Sequence, residues 1–292
     1  MKPTFAIPPD LLANDAHFSD PFFQRFAQAP HAVQLTPELT KSYAFPTFYA
    51  DVTAAMGIFL CDYAAAQAIL PHPAMRPVRM TRGRSLVIFS CYHYKQVMGL
   101  PAYNEIAMTI PILAGPGRDW PVLPMLAQGL FPQFGYYVFG MPVTSKENQL
   151  RGNHIWGLPK VTHEIALGPD GGDCVTVAKE PDGTPYFSLR VPMTGTPTPF
   201  DTNGWIYSKL DDKYLRSQTN FKGTFNVTKH LRPLWQTAGQ PDRPYLEIGD
   251  GPSAALLRQL KIERQPFQFR YAATMNSAFD LPQADWRAAW QP

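Results

Sequence analysis

VTHEIALGPDGGDCVTVAKEPDGTPYFSLRVPM, residues 161–193, reads as three strands joined by two turns. VTHEIAL, CVTVAKE and PYFSLRVPM are rich in β-branched and aromatic residues, and both junctions, GPDGGD and PDGT, contain Asp-Gly. Those residue types tolerate the positive φ that hairpin turns need. The stretch predicts an antiparallel meander. Working outward, Thr47 to Leu60, Arg84 to Tyr94, Tyr103 to Leu113 and Phe134 to Thr144 read as further strands, with Phe267 to Met275 as a last one. Asp62 is placed to cap a short helix from Tyr63 to Leu70, which Pro71 stops. Residues 10–28 read as one or two short helices interrupted at Pro21. Residues 194–204 read as a Gly/Pro/Thr-rich loop, 205–245 as irregular chain, and Ser253 to Lys261 as a short helix. No stretch alternates strands with long helices, which argues against a doubly wound parallel sheet. The expectation is a mainly β (α+β) fold: a curved antiparallel sheet closing into a barrel or cone, with short peripheral helices. Residues 1–40 are expected to form a helical extension and 41–292 a single β domain.

Composition fits that reading. Of 292 residues, 31 are proline, about twice the usual share, which suits short strands and opposes long helices. Hydrophobic residues make up 45%, enough for a core that needs no disulfide or metal. Charged residues are 17% against a usual value of about 25%, so part of the surface is expected in subunit contacts. The net charge is 26 − 23 = +3, and no Lys/Arg run tracks a phosphate backbone, so nucleic acid is not an expected partner. Cys61, Cys91 and Cys174 are odd in number and widely spaced, so no disulfide framework or zinc ribbon is indicated. The first 20 residues lack an apolar signal core, and the longest apolar stretch, Ala54 to Cys61, is far short of a membrane span. A soluble, cytoplasmic protein is expected.

Few motifs carry chemistry. GDGPSA (249–254) fits G-x-G-x-x-A, but no second βαβ unit follows, and a tight turn with Pro252 opening a helix explains it better. The histidines show no metal-ligand spacing, and no G-x-S-x-G elbow occurs. Lys160, in RGNHIWGLPKVTHEI, stands out. Pro159 rigidifies its approach, and Ile155, Trp156, Leu158 and Val161 make its surroundings apolar. An amine in an apolar pocket loses hydration of its charged form; the neutral amine attacks a carbonyl to form a Schiff base. The competing reading is a surface lysine whose stem lies over Trp156.

Two segments resemble the acetoacetate decarboxylase-like superfamily. GLPAYNEIAMTIPI (99–112) is similar to the family's strand in which an active-site glutamate follows an aromatic by two residues; that glutamate maps to Glu105, after Tyr103 and Asn104. RGNHIWGLPKV (151–161) is similar to G-R-E-x-x-x-x-P-K, whose Schiff-base lysine maps to Lys160. GIFLCDYAAAQAILP (57–71) resembles the strand and short helix that open the family's domain. The resemblance spans roughly residues 45–280 and is strongest over 84–165.

It implies a lyase in which Lys160 forms an iminium with a keto acid and Glu105 shuttles protons. Ser90, Tyr103, Asn104, His154, Trp156 and Val161 would surround the substrate. No cofactor or metal is implied, and a homo-oligomer is. Several positions depart from the family. Val161 stands where acetoacetate decarboxylase has a second lysine that activates the first. His154 and Asn153 replace the Glu and Arg of G-R-E, and Ser90 replaces a second glutamate. His154 would either do acid–base work or act as a structural donor. Asp51 to Ala55 holds no counterpart of the arginine that takes the substrate carboxylate. Decarboxylation of a β-keto acid is the first expectation, and aldol addition with dehydration on pyruvate-like acids is the competitor. A third reading, from the aromatic and Met density of the strands, is a non-catalytic β-barrel that binds a small ligand.

Overall fold

A computed structural model describes residues 15–117, 120–236 and 239–283. In chain order its strands are β1 (Ala29–Thr36), β2 (Leu39–Phe45), β3 (Thr47–Asp62), β4 (Met75–Pro77), β5 (Arg84–Val97), β6 (Tyr103–Ala114), β7 (Phe134–Val143), β8 (Lys160–Thr162), β9 (Glu164–Asp170), β10 (Asp173–Lys179), β11 (Pro185–Pro192), β12 (Thr196–Leu210), β13 (Lys213–Lys229), β14 (Leu246–Ile248), β15 (Pro266–Ala272) and β16 (Met275–Phe279). The helices are short: α1 (Tyr63–Ala68), α2 (Leu123–Leu126), α3 (Lys146–Trp156) and α4 (Ala255–Gln259). No helix among the described residues is long and apolar enough to cross a membrane.

The predicted meander is present as β9, β10 and β11, with β14 added at its edge. Between β9 and β10, Gly171 (φ 57°) and Gly172 (φ 91°) form a two-residue turn with both central residues at positive φ, as a type I′ hairpin requires. The long apolar strands make the second sheet, ordered β4-β6-β5-β3-β15-β13-β12-β7-β8. Because β7 also pairs with β6, this sheet curls round and meets itself through seven strands. The fold is therefore mainly β, with a curled sheet and peripheral helices, as the sequence predicts. Asp62 caps α1, its carboxylate accepting from the Ala65 amide at 2.8 Å.

Alternation along each strand divides the core in two. Phe59, Phe89, Cys91 and Phe269 point outward and pack beneath the meander with Phe187 and Leu189. Tyr92, Tyr94, Tyr103, Met141 and Val143 point inward and pack together inside the curled sheet.

Two expectations are corrected, and a helix for which the sequence reading offers no assignment is found between them. Residues 196–229 are not loop and irregular chain: β12 and β13 form one hairpin, in register from Thr196–Val227 to Leu210–Lys213, while the described residues from 230 to 245 are irregular apart from a 3-10 turn at Arg232–Leu234. Pro197 and Pro199 are tolerated because that half of β12 pairs only with β13 and leaves its other edge free. Residues 146–156 form α3, capped by Ser145 at the Asn148 amide and closed by Gly157 at φ 59°. Finally, a boundary at residue 40 falls inside β2. Helix before it is confined to 3-10 turns at Asp15–Phe18 and Phe23–Arg25, residues 1–14 lie outside the described chain, and 29–36 is strand. Val33, Leu35, Tyr43 and Phe45 of the β1–β2 hairpin belong to the inner core.

GDGPSA is a turn. The Glu180 carboxylate accepts from the Ser253 amide at 2.8 Å and the Ser253 hydroxyl at 2.7 Å, taking the place at the helix start where a phosphate would sit.

All three cysteines are free and buried. Burial pushes Cys61 and Cys91 up to about 12, and Cys174 up to about 11. The folded protein is expected to resist a disulfide-exchange reagent at pH 8 and to release three thiol equivalents once unfolded. Rapid reaction of the native protein would contradict this packing.

Candidate active site

Lys160 is the first residue of β8, and two local features deliver it there. Gly157 ends α3 in the left-handed region, and Pro159 leads the chain straight into a parallel pairing with β7, Lys160 opposite Met141. The lysine stem then folds back over α3 at Gly152. A Cβ on Gly152 would overlap Lys160 Cδ and lie 2.7 Å from Cε, so only glycine leaves room for the stem.

The ammonium lies inside the protein. Lys160 is 7% exposed and Glu105 is 5% exposed, and Nζ stands 2.5 Å from Glu105 Oε2. Glu105 projects from β6 on the inward row, with Tyr92 of β5 and Val143 of β7 as its cross-strand neighbours. Its second oxygen accepts from the Tyr94 hydroxyl at 3.3 Å. Tyr94 packs against Tyr92, Tyr103 and Tyr49, at ring separations of 5.3, 4.8 and 4.7 Å. The Tyr103 ring centroid is 5.9 Å from the ammonium. Burial holds Tyr94 and Tyr103 well above the usual phenol range, so both remain protonated donors at neutral pH. Ser90 lies on the same inward row and hydrogen-bonds with Tyr92.

The structure thus gathers Lys160, Glu105 and Tyr103, and places Ser90 on the same inward face one inward position along from Tyr92, which it meets. It does not bring the other expected residues to the ammonium. Asn104 alternates to the opposite face, where its amide donates to the Ile165 carbonyl at 2.9 Å. Val161 likewise turns away and is 43% exposed. His154 is exposed, its Nδ1 2.8 Å from the Gln34 carbonyl of β1. Trp156 is inner core: its indole donates to the Asp280 carbonyl at 2.9 Å, and its ring stacks on Phe279 at 4.7 Å. Lys160 accordingly does not lie over Trp156 at the surface. Gly152 and Tyr94 complete the site without having been expected. Tyr94 was legible as the next inward position after Ser90 and Tyr92, and Gly152 as the glycine of the G-R-E-like segment.

A curled mainly-β fold closed around a buried lysine–carboxylate pair defines an acetoacetate decarboxylase-like architecture. The acetoacetate decarboxylase family model matches residues 32–204, more than half of the chain, and the chain belongs to that family. No curated protein matches it. Among solved structures, acetoacetate decarboxylase from Legionella pneumophila shares the fold with TM-score 0.58 and 15% identity, over 93% of this chain and 95% of that one. The enduracididine biosynthesis enzyme MppR complexed with pyruvate matches with TM-score 0.54 and 12% identity, over 89% and 100%. An acetoacetate decarboxylase-like enzyme from Sphingomonas wittichii RW1 matches with TM-score 0.50 and 14% identity, over 92% and 98%. At these identities the likeness speaks for the fold.

A buried ion pair resists removal of one partner more than removal of both. Glu105→Leu alone is expected to destabilise the protein by about 3–5 kcal/mol in urea unfolding, and Glu105→Leu with Lys160→Met to recover most of that loss. A double variant as unstable as the sum of the singles would show that the two groups are not coupled.

Proposed function

We propose that the chain is a Schiff-base-forming lyase acting on a keto acid, with decarboxylation of a β-keto acid as its reaction. The observation that carries this reading is the buried Lys160–Glu105 pair, one hydrogen bond long, on an inner wall rich in aromatic side chains.

The steps use only groups at that pair. Glu105 takes a proton from the Lys160 ammonium, and the free amine adds to the ketone carbon. The proton returns to the carbinolamine hydroxyl, which leaves as water and yields the iminium. The bond between the α-carbon and the carboxylate then breaks; CO2 departs and the electron pair moves into the iminium to give an enamine. Glu105, reprotonated from water, delivers a proton to the enamine carbon, and attack of water on the resulting iminium releases the ketone and restores Lys160. Glu105 is placed to hold the travelling proton, and the protonated Tyr94 keeps that carboxylate oriented. Val161, where acetoacetate decarboxylase has a second lysine, is turned away from the ammonium, which leaves Glu105 as the group placed to take the Lys160 proton.

A second reading keeps the iminium and changes the bond that is made or broken. The pyruvate in the MppR structure supports aldol addition and dehydration on a pyruvate-like acid. Product analysis separates the two: CO2 from a β-keto acid supports decarboxylation, and a condensed product from pyruvate plus an aldehyde, with no CO2, replaces it with the second reading.

The covalent step itself is tested by borohydride reduction in the presence of acetoacetate or pyruvate. The expected result is a mass adduct on Lys160 in the wild type, none in Lys160→Met, and strong loss in Gly152→Ala, which has no room for the stem. Unmodified wild-type protein at saturating ligand would refute the Schiff base and leave a non-catalytic ligand binder.

A further inference from the structure

The inner wall carries a second cation that this scheme leaves unused. Arg270 of β15 stands opposite Met56 of β3, Met56 opposite Ser90 of β5, and Ser90 opposite Ala107 of β6. Its neighbour Phe269 points into the outer core, so alternation turns Arg270 inward, on the transverse row that holds Ser90. The guanidinium carbon lies 5.0 Å from the Phe200 ring centroid. Among the described residues its side chain makes one hydrogen bond, a long one of 3.5 Å to Gln268 Oε1, and no ion pair; its Nε is buried with no hydrogen-bond partner. Tyr92 and Tyr136 are its electrostatic neighbours, and Tyr92 is also the cross-strand neighbour of Glu105. Tyr92 therefore stands between Arg270 and the Lys160–Glu105 pair.

The charges on this wall do not cancel. Lys160 and Glu105 offset each other, and Arg151 of α3, also buried without an ion pair among the described residues, lies over the Tyr43 ring and donates to Thr47 at 2.9 Å and Asn148 at 3.4 Å. Arg270 adds a further positive charge in a place where charged groups are normally paired, and it has no comparably short hydrogen bond. Burial pushes its ionisation down from the usual arginine value, yet a guanidinium remains charged at neutral pH. A planar fork of donors lacking an acceptor matches a carboxylate, which it holds through two parallel hydrogen bonds.

We propose that Arg270 is the carboxylate-anchoring residue of the site, and that the substrate is a monoanionic keto acid held with its carboxylate on Arg270 and its ketone toward Lys160. The ketone end of this assignment rests on the Schiff-base reading above; the carboxylate end does not.

Two measurements test it. In borohydride trapping, Arg270→Gln and Arg270→Met are expected to raise the acetoacetate and pyruvate concentrations for half-maximal adduct by about 10- to 100-fold, with a much smaller shift for butanone, which has no carboxylate. Arg270→Lys keeps the charge without the fork and is expected to recover part of the loss. The thermal midpoint of Arg270→Met is expected to hold or rise, since no acid partner is stranded. Equal shifts for keto acids and butanone, or a lowered midpoint with unchanged discrimination, would show a structural role and overturn the proposal. The second measurement does not need Lys160. Calorimetric binding of 3-hydroxybutyrate, a carboxylate with no ketone, is expected in Lys160→Met and is expected to vanish in Lys160→Met with Arg270→Met. Binding that is equal in the two, or absent from both, overturns the anchor whatever trapping shows about Lys160.

Discussion

The curled sheet is buried on both faces along β3, β5 and β6, and most of the candidate site follows from that constraint. Its outer side lies under the meander, and its inner side is enclosed by its own curvature. Strands β3, β5 and β6 are accordingly buried almost from end to end, in near-continuous apolar runs rather than clean alternation. A polar side chain turned inward finds no water and must find a partner within the wall. Lys160 and Glu105 satisfy each other, Tyr94 serves Glu105, and Ser90 serves Tyr92. Arg151 is held by Thr47 and Asn148, and Arg270 is left with one long hydrogen bond to Gln268.

The position of Lys160 is set by helix α3 as much as by the strand that carries it. The helix fixes the stem at Gly152 and turns the chain at Gly157. The β1–β2 hairpin in turn braces the helix. Gln34 meets His154 there, and Lys41 and Tyr43 bind Glu147 at 2.7 and 2.6 Å. His154, where the family pattern has a glutamate, faces this hairpin rather than the Lys160 ammonium.

Much of the architecture was readable in advance because its signals are local. Asp-Gly turns, β-branched runs and the Asp62 cap each act over a few residues. Lys160 stood out by its apolar flanks, and Glu105 through the resemblance of its segment to the acetoacetate decarboxylase-like family. What escaped depends on distant partners. The β12–β13 hairpin is a largely exposed arm, so its strands show little hydrophobic period, and its prolines sit on an edge that only the sheet order reveals. Helix α3 has almost no amphipathic stripe; Ser145 and Gly157 were its local signals. Asn104 and Val161 are neighbours in sequence of Glu105 and Lys160, and strand alternation sends each to the other side. Arg270 lies far along the chain from the lysine, and only the register of β15, β3 and β5 places it on the same wall.

The ring is not equally strong all the way round. Neighbouring strands are laced by long ladders, such as β3 with β5 from Tyr49–Val97 to Asp62–Arg84. At β7 and β12, however, the pairing is parallel and consists of Ile206 with Tyr136 and Tyr207 with Tyr137. Parting the wall along that short seam breaks fewer backbone hydrogen bonds than parting it along any other pairing of the ring among the described residues. The seam is thus the least expensive doorway into an interior that has been sealed against solvent.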